Sequence, residues 1–208
     1  MTMKLFIPLA AIAITACSTV PGSQPGPVVP ANDWRTVATS ADRDRLREWR
    51  TAFTRALAQA RAAGHGADID REGKLLEPDA ALGPVPIPSG RYKCRVIKLG
   101  AKQPGLLEYI AYPAFDCRIA QEMNLQSLNK LTGSQRHTGL LFPDSPIRQA
   151  FLGTLVLGDE TLAMRYGADA ERDLAGWVER IGDNRWRLVL PYPHYESLLD
   201  VVELVPAQ

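Results

Sequence analysis

Three histidines, a pair of internal cysteines and one acidic run are the residues of this chain that could do chemistry. His65, His137 and His194 lie far apart, without the HxxxH or HxH spacing that brings two imidazoles to one metal. They read as ordinary loop or strand-end histidines. Ser134 stands three residues before His137, but two residues on one turn make no triad. Nucleophile elbow, Walker A and dinucleotide fingerprints are absent. Asp68, Asp70, Glu72 and Gly73 fall at positions one, three, five and six of an EF-hand loop, with Asp79 at twelve. Position twelve calls for the longer Glu, and Pro78 with the prolines beyond leaves no exit helix. The run is therefore read as an acidic, solvated turn, with no metal or other cofactor expected. No positioned acid, base or nucleophile can be named, so no enzyme is expected.

Composition bounds the rest. The chain has 208 residues, 46% hydrophobic and 23% charged, with a formal net charge of +1. That length suits one domain with an appendage. The balance excludes a protein that works by coating nucleic acid or anionic lipid, and no basic cluster interleaved with aromatics appears.

The appendage is the N-terminus. Residues 1–16 read as a lipoprotein signal peptide: Lys4 supplies the positive charge near its start, and Leu5 to Ile14 forms an apolar core too short to span a bilayer. Ile14-Thr15-Ala16-Cys17 resembles a bacterial lipobox. The resemblance implies cleavage before Cys17 and its lipidation, which removes Lys4 and leaves no net charge. Ser18, standing where Asp would signal inner-membrane retention, implies the periplasmic face of the outer membrane. Residues 17–32, rich in Pro and Gly, read as a lipidated tether, and residues 33–208 as one globular domain.

The elements of that domain follow from periodicity. Thr39-Ser40-Ala41-Asp42 opens a helix expected over 40–63, with Leu46, Trp49, Phe53, Leu57 and Ala60 as one apolar stripe and Gly64 beyond its end. The stripe is expected to pack on the β domain, with Arg43, Arg47 and Arg50 solvated. A membrane-surface helix is the alternative. From Gly90 the period changes to two. Strands are expected near 90–99, 106–119, 125–131, 138–142, 149–157, 161–166, 174–181, 185–190 and 198–205. Short connections without crossover helices argue an antiparallel β domain over 90–206, a barrel or sandwich of about seven to nine strands.

Without Cys17, Cys94 and Cys117 remain, and an even pair in an exported chain reads as a disulfide. A redox pair or a zinc site fits less well, since there is no CxxC and no nearby His. A turn at Gln103–Leu107 would set Cys94 opposite Cys117, Val96 opposite Phe115, and Tyr92 opposite Ile119, with Arg95 facing Asp116 on the other side. A second hairpin about Asp183-Asn184 would set Ile181 opposite Trp186 and Trp177 opposite Leu190, with Glu179 on that same face.

Several stretches resemble a family of uncharacterised alphaproteobacterial exported proteins, domain of unknown function 4893. They are Gly90-Arg91-Tyr92-Lys93-Cys94-Arg95-Val96, Leu131-Thr132-Gly133-Ser134-Gln135-Arg136, Phe151-Leu152-Gly153, Arg172-Asp173 through Trp186-Arg187-Leu188, and the ending Glu196 to Pro206. The resemblance covers Trp34 to Pro206 and implies no activity. Gly90-Arg91-Tyr92 is also similar to the GxW that opens lipocalin-like barrels, with Tyr in place of Trp. A binding module is therefore expected. Tyr92, Arg136, Tyr166, Trp177 and Trp186 are candidates to line a cavity of roughly 300 Å³ or more. The ligand would be a small apolar molecule or an envelope protein, and the membrane would be met through the lipid anchor. The alternative is a structural or interaction lipoprotein without a cavity.

Overall fold

The computed structural model describes residues 1, 32–84 and 86–207. The expected signal peptide, Cys17 and most of the tether lie outside the described residues.

Nine antiparallel strands follow one another as a meander: β1 (Gly90–Ala101), β2 (Tyr109–Ala111), β3 (Phe115–Glu122), β4 (Leu125–Lys130), β5 (Gln135–Ser145), β6 (Arg148–Leu157), β7 (Asp173–Gly182), β8 (Arg185–Pro191) and β9 (Ser197–Pro206). β9 returns to pair with β1 from Tyr92↔Pro206 to Ala101↔Ser197, which closes eight strands into a barrel. β2 is the extra strand, laid on the far half of β1. Among the described residues four helices precede the barrel: α1 (Trp34–Val37), α2 (Ser40–Arg47), α3 (Trp49–Ala62) and α4 (Gly66–Glu72), followed by a 3-10 turn at Gly73–Leu76.

Closure gives the sheet an inside and an outside, and alternation assigns the residues. Tyr92, Cys94, Val96, Leu128, Phe151, Val178, Trp186, Leu188 and Val202 point inward and fill the barrel. Several outward residues of β8 and β9 are apolar as well. Val189, Leu199 and Val201 pack with Ile97 and Leu99 under Phe53, Ala56 and Ala60 of α3. This double burial is why β8 and β9 read as nearly continuous apolar runs. Trp34 and Leu46 cover Phe142, Ala150 and Trp177 in a second outer cluster. The helical stripe thus packs on the barrel. The single helix expected over 40–63 is instead broken at Glu48, so α2 lies on β7 while α3 lies on β1, β8 and β9. The acidic run expected as a turn is the helix α4.

Two hairpin registers and one strand differ from expectation. β3 pairs with β1 two residues away from the expected register, as Cys94↔Phe115 and Tyr92↔Cys117. The chain leaves β1 after Ala111 and rejoins at Phe115, with Tyr112, Pro113 and Ala114 between the two strands. A shift of two preserves the faces. Cys94 and Cys117 therefore still meet, as diagonal neighbours with Cα atoms 5.9 Å apart, and are disulfide-bonded. The expected Arg95–Asp116 pair does not form. Lys93 meets Asp116 at 2.7 Å, and Arg95 binds Glu72 and Glu203. At the β7–β8 hairpin the shift is one residue. Trp177 faces Val189 and Arg180 faces Trp186, with a bulge between Arg180 and Gly182. A one-residue slip reverses the face, so Trp177 lies outside the barrel and Trp186 inside. Residues 161–166 form no strand, because β6 pairs directly with β7.

Glu179 is buried on the outer face beside Arg187, with both side chains fully inaccessible. Arg187 Nε donates to Glu179 at 2.8 Å, and its terminal nitrogens donate to the carbonyls of Lys74, Leu75, Glu77 and Pro78 at 2.7–3.1 Å. Arg148 Nε donates to the other Glu179 oxygen at 2.6 Å. One guanidinium therefore fastens the 74–78 segment to the barrel wall. Glu179→Ala strands this buried charge and is expected to lower stability by about 3–5 kcal/mol in urea unfolding. Lys93→Ala, which breaks an exposed pair with Asp116, is expected to leave the urea midpoint nearly unchanged.

Candidate functional site

The two ends of the barrel differ. At the end where β1 begins, the β3–β4, β5–β6 and β7–β8 turns are tight and the interior is full. Ile87 enters the core there, held by Gln126 Nε2 donating to its carbonyl at 2.8 Å. The other end carries the longer connections 102–108, 131–134, 158–172 and 192–196. Here the inward phase of four strands turns polar: Lys98 of β1 continues Tyr92-Cys94-Val96, Lys130 of β4 follows Leu128, His137 precedes Leu141 on β5, and Asp200 precedes Val202 on β9. These four side chains are buried at the mouth.

Their partners differ. Lys98 Nζ lies 3.2 Å from Asp200 and 3.0 Å from Glu196. Burial opposes its charge, and the two carboxylates outweigh that, so the amine is held above its ordinary pKa. Burial raises Asp200, with Lys98 and the Ser197 hydroxyl opposing. Lys130 has no carboxylate partner among the described residues. Its Nζ donates to the Gln135 carbonyl at 2.6 Å and sits 3.7 Å from the centre of the Phe115 ring. Burial, then Arg136 and Lys98, push it down to about 8. His137 is 4% exposed. Burial, then Lys130 and Lys98, push it down to about 3, so the imidazole is neutral. Its Nδ1 is buried without a hydrogen-bond partner among the described residues. Three other buried atoms are so placed among the described residues: Gln149 Oε1, Thr154 Oγ1, and Asp42 Oδ1, which is ion-paired to Arg45.

Between these groups lies a recess of about 210 Å³, walled by Val96, Lys98, Phe115, Lys130, Gln135 and His137. Loops hold its rim. Lys102 Nζ donates to the His194 carbonyl at 2.9 Å, and Tyr195 packs onto the interior core. Arg136 donates to the carbonyls of Gly133, Gly158 and Glu160, joining two rim loops. Gly133 has φ +91, and a Cβ there would stand 2.9 Å from Lys130 Nζ and from the Phe115 ring. Glycine is thus required for Lys130 to keep its place.

The residues expected to bind ligand lie in three places, and none lines this recess. Tyr92 and Trp186 meet edge to face at 6.2 Å in the packed interior, and the Tyr92 hydroxyl donates to the Pro88 carbonyl at 2.7 Å. Trp177, outside the barrel, donates from Nε1 to the Leu46 carbonyl at 3.1 Å. Tyr166 binds Asp42 and accepts from Thr39 N at 3.1 Å. It edges an outer groove of about 390 Å³ across β4, β5 and β6, where Glu122 is the one charged lining residue. Arg136 ties loops at the rim. The acids of the EF-like run face arginines: Asp68 with Arg71, Asp70 with Arg61, Glu72 with Arg95, and Asp79 with Arg50. No three His, Cys, Asp or Glu side chains converge as metal ligands among the described residues. The mouth residues did have a sequence signal, which was a charged residue in phase with an otherwise apolar strand face.

A neutral buried histidine makes stability depend on pH. The unfolded chain takes up a proton near pH 6.5 and the folded one only near 3. Stability therefore falls as pH drops through that window, by about 2 kcal/mol at pH 5 relative to pH 7. His137→Gln should lose this part of the slope, and the His137 imidazole resonances should not titrate between pH 5 and 8.

No curated protein and no solved structure matches the chain. Residues 34–204 match a family described as Domain of unknown function (DUF4893). That span runs from α1 to Leu204, two residues short of the end of β9, and the chain belongs to this family.

Proposed function

We propose that this chain is an exported lipoprotein of an alphaproteobacterial cell envelope, anchored through Cys17 at the periplasmic face of the outer membrane. Its barrel acts as a binding module with the ligand at the mouth. The observation that carries the binding role is the recess of about 210 Å³ lined by His137, whose buried Nδ1 has no hydrogen-bond partner among the described residues. Buried polar atoms are nearly always satisfied, and an exception needs a ligand, a water or a functional reason. The filled interior does not favour an apolar guest deep in the lumen. It favours a small molecule seated among Lys98, Lys130 and His137. The chain enters the described region beside Asn124, at the filled end, so the mouth faces away from the side where a tether would attach.

The anchor is tested by labelling cells that express the full chain with a palmitate analogue. The wild-type chain is expected to take up label and sediment with outer membrane, and Cys17→Ser to do neither. Label retained by the variant would remove the anchor. Binding is tested by titrating the full lipoprotein in detergent micelles with mixtures of small fragments. Chemical-shift changes are expected at Val96, Lys98 and His137. Changes confined to the outer groove, or none at all, would overturn the module. The second reading is a protein-docking lipoprotein, favoured by the exposed Leu107 and Leu162 on the loops of the same end. In that case a stoichiometric envelope partner should crosslink at those two positions.

A further inference from the structure

We propose that the recess at the mouth is a carboxylate site, taking a short monocarboxylate with Lys130 as counter-ion and His137 Nδ1 as a second polar contact. It rests on the mouth being a ligand site, and it adds the chemical class of the ligand.

The pairing of charges selects the class. Lys98 already holds two carboxylates, Asp200 at 3.2 Å and Glu196 at 3.0 Å. Among the described residues Glu196 is the only acid that lines the recess, and it is engaged by that contact. Lys130 lines the same recess with 5% exposure and meets only a carbonyl and an aromatic face among the described residues. A buried ammonium with three donors and one carbonyl acceptor lacks a counter-charge. A cationic guest would meet two lysines. A neutral guest would leave the Lys130 charge uncompensated. An anionic group supplies both the missing charge and further acceptors, and such charge-assisted bonds are the stronger kind.

Shape narrows the class further. About 210 Å³ is on the order of seven water volumes. That admits one carboxylate and a short tail. Val96 and the ring of Phe115 give the tail an apolar wall, while Ser134 and Tyr112 stand at the polar side. A neutral imidazole donates or accepts at Nδ1 according to its tautomer, so His137 can donate to the carboxylate without carrying charge. Gly133 keeps the space above Lys130 clear, since a Cβ there would approach Nζ to 2.9 Å.

Three probes of one shape and different charge test this: benzoate, benzamide and benzylamine, each titrated into the full lipoprotein in micelles and followed by calorimetry and by the His137 and Val96 resonances. Benzoate is expected to bind at least 10-fold tighter than either analogue. Lys130→Met should weaken benzoate at least 10-fold while leaving benzamide unchanged, and Lys130→Arg should recover part of the loss. Benzamide equal to benzoate, or benzylamine tightest, would overturn the carboxylate class while leaving the mouth as a ligand site. Silence from benzoate, and from butyrate as a slimmer carboxylate, overturns the proposal outright, and the fragment titration then decides whether the binding module falls with it. If Lys130→Met fails to fold, the order of the three probes on the unaltered protein decides the class.

Discussion

The ladder between β1 and β9 is the contact on which the other features depend. It pairs the first strand with the last over nearly the whole of β1, from Tyr92 to Ala101. An open meander of these strands would have two edges and no enclosed face. Once the ladder forms, every inward residue of eight strands shares one volume. That volume is filled at the end where β1 starts, by Tyr92, Trp186, Leu204 and the Cys94–Cys117 bridge. It cannot be filled in the same way at the other end, because there the inward positions are Lys98, Lys130, His137 and Asp200. The recess is therefore a consequence of closure acting on a few polar residues.

The outer face is managed separately. The outer apolar residues of β1, β8 and β9, and those around Ala150 and Trp177, would be a large exposed patch without cover. α2 and α3 supply that cover, and the segment after α4 is fixed by Arg187. The N–H groups of one guanidinium are shared among Glu179 and four carbonyls, three of them around one terminal nitrogen. The geometry suits arginine and not lysine, since a planar fork reaches several carbonyls at once. Such a network is costly to break and gives one placement of the segment, not a sliding apolar contact.

At the mouth the balance is different. Lys98, Asp200 and Glu196 neutralise one another, whereas Lys130 and His137 are left to burial. Both are shifted toward their neutral forms by the same cause, removal from water. Natural cores rarely keep such groups without a partner. Their placement on strands, with rim loops tied by Arg136 and Lys102, gives a recess whose shape is set by the fold.

Periodicity and turn residues by themselves determined the antiparallel strands, the helical stripe against them and the pairing of Cys94 with Cys117. These depend on local alternation and on parity, and parity survives a register error of two. The β7–β8 hairpin failed for the complementary reason: a one-residue bulge reversed Trp177 and moved it from the expected cavity to the helical layer. The strand expected at 161–166 failed because composition alone does not tell whether a partner edge is free. The aromatic candidates were chosen by type, and only closure decides which aromatic faces the lumen and which faces a helix. Lys98, Lys130, His137 and Asp200 are legible in the sequence as polar residues out of place on apolar faces, yet they come from strands up to about a hundred residues apart. Only the tertiary structure brings them to one end, because the barrel converts four separate irregularities of phase into neighbours around one recess.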